Sequence, residues 1–94
     1  MSEREPLADI YVYDKEVKVV VEMPGFSKEH IKIQAYNNSV EVSTDNPQRK
    51  YQVIDLPTDA DIETVKSTYK NGILEIVFKK KRKLKLKRIN EGRK

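Results

Sequence analysis

Few residues of this chain have the side chains that catalysis or cofactor binding requires. The sequence contains one histidine, His30, and no cysteine, so no thiolate is present to act as a nucleophile or a metal ligand. A single imidazole without a clear partner is more typical of a protein surface than of a catalytic site. The three glycines are isolated, and the serines Ser39, Ser43 and Ser67 lack the setting of a nucleophile elbow. We therefore predict that the chain is not an enzyme and binds no cofactor.

The acidic stretch from Thr58 to Glu63 is the one candidate for a metal site. Its carboxylates recur at every second position, as do the first ligands of a calcium-binding loop. Counted from Asp59, such a loop needs glycine at its sixth position and glutamate at its twelfth, where this sequence has Thr64 and Lys70. The stretch therefore predicts a solvated acidic turn and no metal ligand.

Length and composition favour one small domain. The chain has 94 residues with 37% apolar content, which is enough for a single core. The first six residues lack the apolar stretch of a secretory signal, and no run of about 18 apolar residues is present to cross a bilayer. The absence of cysteine is typical of a reducing compartment. These features predict a cytoplasmic protein without a membrane partner.

The net charge of +4 is unevenly distributed along the chain. Residues 1–78 carry a net charge of −5, whereas residues 79–94 carry ten basic residues and only Glu91 as an acid, a net charge of +9. A basic tail of this kind attracts nucleic acid, an anionic membrane or an acidic partner in a salt-dependent way. The alternative interpretation is a solvated terminus that maintains solubility.

Apolar residues recur at every second position in several short segments, which is the pattern of half-buried strands. In the clearest case, Glu16 to Met23, four apolar residues share one face. The segment from Arg49 to Leu56 has apolar residues in both phases, which predicts a bulge or apolar contacts on both faces. The predicted strands are Ile10 to Tyr13, Glu16 to Met23, Ile31 to Tyr36, Val40 to Val42, Arg49 to Leu56, Thr64 to Tyr69 and Ile73 to Phe78.

Turn residues separate these segments. Pro24-Gly25, Leu56-Pro57 and Asn71-Gly72 interrupt the alternation, because proline lacks an amide hydrogen and glycine adopts positive φ at little cost. Asn37-Asn38-Ser39 predicts a hairpin turn, and Ser27 is the expected cap of a single helical turn. About seven to eight short strands joined by tight turns predict an all-β, immunoglobulin-like antiparallel β-sandwich. We expect a short arm at residues 1–8, the sandwich domain at 9–80 and the basic tail at 81–94.

Three motifs in this order carry a resemblance to a known family. They are Pro24-Gly25-Phe26-Ser27-Lys28-Glu29-His30-Ile31-Lys32-Ile33, Leu56-Pro57 and Ser67-Thr68-Tyr69-Lys70-Asn71-Gly72-Ile73-Leu74. The arrangement resembles the α-crystallin domain of small heat-shock proteins, whose A-x-x-x-N-G-V-L motif here has serine for alanine and isoleucine for valine. The resemblance covers roughly Pro6 to Lys81.

The resemblance implies both a fold and a function. The family's domain is an immunoglobulin-like β-sandwich, and its members are ATP-independent holdases that bind partly unfolded client proteins and limit their aggregation. In the family, a groove between two strands accepts an I-x-I motif from a neighbouring chain's tail. By position, Ile31, Ile33, Val65 and Ser67 are the candidate groove residues. The alternative for each of them is packing in the core.

The basic tail contains a weakened form of the I-x-I motif. Leu84-Lys85-Leu86 places Leu84 and Leu86 on the same side of an extended segment, where they match the family's docking motif. Only five residues separate Phe78 from Leu84, a span of about 17 Å at full extension. A continuation of the last strand is therefore the alternative to docking on another subunit.

Three departures from the family affect the expected assembly. The loop from Thr44 to Gln48 is too short for the extra strand that many members exchange with a partner. Gln52 stands where members commonly carry an arginine of an interfacial charge network. The N-terminal arm, which binds clients in the family, is reduced to residues 1–8. We expect a homodimer or small oligomer through a non-swapped edge, with a monomer as the alternative.

Three functions therefore remain as hypotheses. The first is a holdase chaperone whose partners are unfolded or partly folded client proteins. The second is a CS-domain-like co-chaperone or adaptor that binds one folded partner. The third is nucleic-acid binding by the tail, which lacks aromatic residues to stack on bases and would bind only in a salt-sensitive way.

Overall fold

The computed structural model describes residues 8–45 and 51–81. In these ranges the chain forms seven β-strands and a 3-10 helix at Lys28–His30. The strands are β1 (Ala8–Val12), β2 (Glu16–Glu22), β3 (Ile31–Tyr36), β4 (Ser39–Thr44), β5 (Tyr51–Asp55), β6 (Ala60–Lys70) and β7 (Ile73–Lys80).

The strands are arranged in two antiparallel sheets. One sheet has the order β1-β2-β7-β6 and the other the order β3-β4-β5. Edge strand β3 of the smaller sheet lies against edge strand β6 of the larger one. The predicted all-β sandwich is confirmed, and its two sheets differ in width by one strand.

The core lies between the two sheets and is built by alternation along the strands. In the central pair β2 and β7, inward-facing residues are matched across the ladder, with Val17 opposite Phe78 and Val19 opposite Ile76. Burial of one such side chain contributes about 1.5–3 kcal/mol. The buried apolar residues are Val17, Val19, Val21, Met23, Val40, Val42, Ile54, Leu56, Ala60, Leu74, Ile76 and Phe78. The face predicted for Glu16 to Met23 is therefore confirmed.

The predicted turn residues adopt the backbone conformations that their types favour. Asn37 and Asn38 have φ values of 46° and 60°, and they join β3 to β4 as a tight hairpin. Two of the turns also touch each other, because the amide of Met23 donates to the carbonyl of Gly72 at 2.8 Å. The turn residues thus fix tertiary contacts as well as chain reversals.

The prediction that the chain turns from Thr58 to Glu63 is wrong in its second half. Strand β6 begins at Ala60, which pairs with Lys80 of β7. Ala60 and Ile62 alternate with acidic residues, but a bulge separates them from Ser67 and Tyr69 and shifts the phase of the alternation, so the sequence pattern does not join the two parts into one strand. Only Thr58 and Asp59 form the turn.

A bulge interrupts β6 between Asp61 and Lys66, where the register with β7 shifts. The hydroxyl of Thr64 replaces part of the missing ladder: it accepts a hydrogen bond from the Lys79 amide at 2.8 Å and donates to the Asp61 carbonyl at 2.8 Å. The side chain thereby satisfies backbone groups that the bulge leaves unpaired.

Two other local predictions need correction. Ser27 precedes the 3-10 helix, but its side chain makes no capping hydrogen bond. Strand β5 has no bulge along Tyr51–Asp55. Ile54 is buried, as is Leu56 just after the strand, whereas Val53 in the second phase is 54% exposed and faces solvent.

Candidate functional site

The candidate site is a groove where the edges of the two sheets meet. Strand β3 supplies Ile31 and Ile33, which are half-buried and pack against the core. Strand β6 supplies Ser67, which is exposed and lies opposite the buried Ile76 in the ladder. The structure therefore brings three of the four predicted groove residues together across the sandwich.

The groove is small and open to solvent. Its volume is about 120 Å³, and its lining combines an apolar floor and wall with polar residues at the rim. Leu74 is buried at its base, and Tyr69 is half-buried. The lining residues are Lys28, Ile31, Ile33, Ser67, Thr68, Tyr69 and Leu74. A concave apolar surface of this kind suits side chains of an extended segment rather than a large ligand.

Tyr69 fixes one end of the groove. Its hydroxyl lies 2.5 Å from the backbone carbonyl oxygen of Met23 and 3.0 Å from that of Phe26, and its one hydrogen is shared between these two acceptors. These acceptors flank the Pro24-Gly25 turn, so the tyrosine ties β6 to the segment that leads into β3. The ring thus helps hold the two walls of the groove together.

Sequence reasoning missed some groove residues and included one that does not line the groove. Val65 lies on β6 next to the bulge, is 38% exposed and is not part of the lining. Tyr69 and Leu74 do belong to the lining, although neither was among the predicted groove residues. The alternation of Ser67 with Tyr69 along β6 is the signal that could have identified the tyrosine, whereas Leu74 lies in the predicted strand Ile73 to Phe78 with no signal of a groove position. Leu84 and Leu86, the predicted docking residues, lie outside the described residues.

His30 and Asp45 form an exposed pair close to the groove. The Nδ1 atom of His30 lies 2.9 Å from Oδ1 of Asp45, and the Asp45 amide donates to the His30 carbonyl at 3.2 Å. The pair joins the end of β4 to the 3-10 helix. Its geometry is that of a structural contact between two segments.

The hydrogen bond with His30 is the main reason why the pKa of Asp45 lies below its ordinary value of 3.8. A carboxyl whose pKa is lower in the folded state stabilises the fold above the unfolded value, and this contribution is lost as the pH falls through the lowered pKa. We expect Asp45→Asn to reduce the free energy of unfolding at pH 7, with the difference from wild type shrinking below pH 3.8. Urea denaturation across a pH series measures it.

Asp14→Asn is the matched control for this pH dependence, because Asp14 is also exposed but lies in the β1–β2 turn, away from the His30 pair. A gap between Asp45→Asn and wild type that stays constant from pH 7 into the acid range would contradict the assignment.

The acidic stretch and Gln52 show no functional geometry. Oδ1 of Asp61 accepts a hydrogen bond from the Glu63 amide at 3.1 Å, which is a local turn contact. Among residues 8–45 and 51–81, no group of three or more His, Cys, Asp or Glu side chains is placed to hold a metal ion. Oε1 of Gln52 is buried without a hydrogen-bond partner in the described part of the chain.

Comparison of the fold with solved structures defines its class. The fold is that of α-crystallin domains in small heat-shock proteins. Heat shock protein 16.0 from Schizosaccharomyces pombe matches with a TM-score of 0.74 and 21% identity, over 83% of this chain and 88% of that one. A small heat-shock protein from Xylella fastidiosa, which forms a distinct high-order structure, matches with a TM-score of 0.76 and 15% identity, over 87% and 91% of the two chains.

Sequence comparison then identifies the family. Residues 9–91 match the model of the Hsp20/alpha crystallin family, and the chain belongs to that family. The mitochondrial small heat shock protein hspI of Dictyostelium discoideum is 33% identical over 108 aligned residues, which cover 93% of this chain and 48% of the relative. Small heat shock protein C1 of Rickettsia bellii is 35% identical over 78 residues, which cover 69% and 47%. The chain thus spans about half the length of these relatives.

Membership of the family supports a chaperone role in general terms, and small heat shock proteins are generally non-enzymatic. Among the described residues, no helix has the length and apolar character needed to cross a membrane.

Proposed function

We propose that this protein is an ATP-independent holdase that binds partly unfolded proteins through the groove between β3 and β6 and limits their aggregation. The observation that carries the proposal is the open apolar groove, in which Ile31 and Ile33 are only half-buried although they adjoin the core. Partly unfolded clients expose apolar segments in extended conformations, and such segments fit a groove that lies along two sheet edges. The function requires no cofactor and no catalytic residue.

The polar rim sets what the groove accepts. Ser67 and Thr68 line one side and Lys28 another, and these side chains are exposed. A rim of small hydroxyl side chains leaves room for apolar residues of many shapes, and hydroxyls both donate and accept hydrogen bonds. The groove therefore suits many client segments that share apolar character rather than one sequence.

The tail segment Leu84-Lys85-Leu86 is a second occupant of the same groove in this proposal. Its two leucines lie on the same side of an extended segment, as the apolar residues of an extended client segment would, so tail and client would compete for the groove. The tail then regulates access and links subunits, and a homodimer or small oligomer is the assembly we propose. Cytoplasmic localisation remains a prediction, and the relative from Dictyostelium discoideum is mitochondrial.

The proposal is tested by blocking the groove without removing a core residue. Ser67→Arg places a long charged side chain at the exposed rim, and we expect suppression of client aggregation to fall several-fold because apolar client residues no longer reach the floor. The measurement is light scattering of a heat-stressed client without ATP, with the full chain in molar excess.

Thr58→Arg is the control, because Thr58 is exposed in a turn outside the groove and the variant adds the same charge. Circular dichroism on both variants checks that the fold is retained. Equal suppression by Ser67→Arg and Thr58→Arg would remove the groove as the client surface, and absence of suppression by the wild type would overturn the holdase assignment.

The competition between tail and client is tested in the same assay with the Leu84→Ala/Leu86→Ala variant. If the tail occupies the groove, the variant suppresses aggregation better than the wild type and its molar mass falls. An unchanged mass with unchanged suppression would contradict tail docking and leave the leucines as part of a linker or strand.

A further inference from the structure

Within residues 8–45 and 51–81, strand β1 is an apolar edge strand that pairs with β2 on one side and with no strand on the other. It belongs to the wider sheet, and its main contacts are with β2 alone. Its register places Ile10 opposite Val19 and Val12 opposite Val17, so both residues point to the core side of the sheet. Yet Ile10 is 40% exposed and Val12 is 55% exposed, whereas Val17 and Val19 are fully buried. The inward face of β1 therefore extends beyond the three-stranded sheet and is left open.

In the part of the chain that the structure describes, no strand pairs with the outer side of the β1 backbone. The Tyr13 amide donates to the Glu16 carbonyl across the hairpin. Because hydrogen-bonded and non-bonded pairs alternate along an antiparallel ladder, Tyr11 and Asp9 direct their backbone groups toward β2. The amide and carbonyl groups of Ala8, Ile10 and Val12 therefore point away from the sheet and present an open row of donors and acceptors.

Unlike the β3 and β6 edges, β1 has no lysine, proline or bulge that discourages strand pairing. Natural edge strands are protected by lysine, proline, bulges or inward-pointing charges. Strand β6 has a bulge together with Lys66 and Lys70, and β3 carries Lys32. The sequence of β1, Ala-Asp-Ile-Tyr-Val, has no lysine, proline or glycine, and its one charge is Asp9.

We propose that β1 is the surface through which a second copy of this chain pairs, antiparallel and with Ile10 opposite Ile10. Pairing about Ile10 aligns all five residues and brings the two strips of Ala8, Ile10 and Val12 side by side. The unpaired backbone amide and carbonyl groups belong to these same three residues. The register that aligns the apolar side chains is therefore also a register in which the backbone groups of the two strands can form hydrogen bonds. The two four-stranded sheets then form one continuous sheet around a two-fold axis, which is the symmetry of most homodimers.

The charges favour the same register. With Ile10 opposite Ile10, Asp9 of one copy faces Tyr11 of the other, whose hydroxyl is a hydrogen-bond donor. In the alternative register that pairs Ile10 with Ala8, the two Asp9 carboxylates face each other, which is destabilising. A pairing of five residues is short compared with stable interfaces of about 1,200–2,000 Å², so we expect a dimer that dissociates on dilution.

The basic tail is the competing occupant of this edge. It offers Leu84 and Leu86 among lysines and arginines, so it would match two positions of the three-residue apolar strip. A second β1 matches all three, which is why self-pairing is the stronger assignment. The inference rests on the self-association in the proposed function, but it does not depend on client binding in the groove.

A cysteine introduced at Ile10 tests the register, because the natural chain has none. Opposite residues in an antiparallel pair have Cα atoms about 5.5 Å apart, within the range that a disulfide spans. We expect Ile10→Cys to become mostly disulfide-linked dimer under mild oxidation. Val65→Cys is the matched control, since Val65 is 38% exposed and Ile10 is 40% exposed, and it should show only background cross-linking.

A charge substitution tests whether the edge drives association in solution. The test uses the Leu84→Ala/Leu86→Ala background, in which the tail cannot link subunits, and there Val12→Lys should halve the molar mass measured by sedimentation at concentrations where the parent variant is dimeric. Val53→Lys should leave it unchanged, because Val53 is 54% exposed, close to the 55% of Val12, but lies on β5. Circular dichroism confirms that each variant is folded.

Each outcome decides the assignment. Cross-linking at Ile10 with dissociation of Val12→Lys supports it. Equal cross-linking at Ile10 and Val65, or a dimer that persists in Val12→Lys, overturns it, and a monomeric wild type overturns it as well. A rise of Ile10 cross-linking in the Leu84→Ala/Leu86→Ala background shows that the tail holds the edge instead. Aggregation suppression is measured separately, so failure of the dimer edge is distinguishable from failure of the holdase proposal.

Discussion

Phe78→Ala is expected to lower the free energy of unfolding by about 3–5 kcal/mol, since truncation of a buried phenylalanine removes its burial and leaves a cavity. A domain of this size has a total stability of roughly 5–15 kcal/mol. The substitution therefore removes a large part of the stability, and the unfolding midpoint in urea should fall steeply.

The position of Phe78 explains the size of this effect. The side chain is fully buried, and its strand β7 is hydrogen-bonded on both sides, to β2 and to β6. Phe78 lies opposite Val17 on β2 and next to the bulge of β6. Because two strands are aligned by β7, the surroundings cannot collapse into the cavity without breaking a ladder.

Val77→Ala is the control on the same strand. Val77 points to the opposite face and is only half-buried, so its loss should cost much less than that of Phe78. Urea denaturation monitored by circular dichroism compares the two variants. Equal destabilisation would contradict the assignment of Phe78 to the central core.

Much of the fold was predictable because the strands are short and alternate strictly. In β2, β4 and β7 the apolar residues that recur at every second position are the residues that the structure buries. This follows because successive side chains of a strand point to opposite faces of the sheet. The asparagine and glycine turns were predictable for a similar local reason. Positive φ at Asn37, Asn38 and Asn71 follows residue type rather than distant contacts.

The parts that were not predictable depend on contacts between distant segments. The start of β6 at Ala60 is defined by its ladder with Lys80, and the bulge that follows shifts the phase of the apolar alternation, so Ala60 and Ile62 do not align with Ser67 and Tyr69 as parts of one strand. The floor of the groove also depends on contacts between distant segments. Leu74 follows the last turn and reaches the groove only because the edges of two different sheets meet there.

The exposure of Ile10 and Val12 shows the same limit of local patterns. Their alternation predicts a half-buried strand, and β1 does form. Whether its inward face is covered depends on the number of strands in the opposite sheet, which is a property of the whole fold. The pattern therefore predicted the strand but not the open edge.

The motifs that carry the family resemblance also have a structural meaning. The Met23 amide binds the Gly72 carbonyl, so the Pro24-Gly25 turn is held against the Asn71-Gly72 turn. At the second motif, Leu56-Pro57, the Asn38 side-chain amide donates to the Pro57 carbonyl at 3.2 Å. These residues stabilise turn contacts that hold the two longer motifs together, and the seven residues that line the groove all lie within those two motifs.

The contact between two of these turns leads to the second large effect, which is expected for Gly72→Ala. Gly72 has a φ of +78°, and a Cβ atom at this position would lie 3.3 Å from the Pro24 Cα. The left-handed backbone alone costs a residue with a side chain roughly 1–2 kcal/mol. Because the neighbouring atom belongs to the backbone of the other turn, the methyl group also forces the two turns apart, and we expect a total loss of about 2–3 kcal/mol.

Gly25→Ala separates the two contributions to this loss. Gly25 has a φ of +91°, but an added Cβ there meets no atom within 4 Å, so this variant bears only the backbone cost. In a domain of this size, each kcal/mol of lost stability lowers the melting temperature by about 4–8 °C. We therefore expect thermal denaturation to give the lowest melting temperature for Gly72→Ala, a higher one for Gly25→Ala and the highest for the wild type. If the two variants had the same melting temperature, the contact with Pro24 would add nothing to the destabilisation, and the strain at Gly72 would come from its φ alone. A lower melting temperature for Gly72→Ala would instead show that the two turns pack closely enough to resist a single methyl group, as expected if their contact fixes where β2 ends and β7 begins.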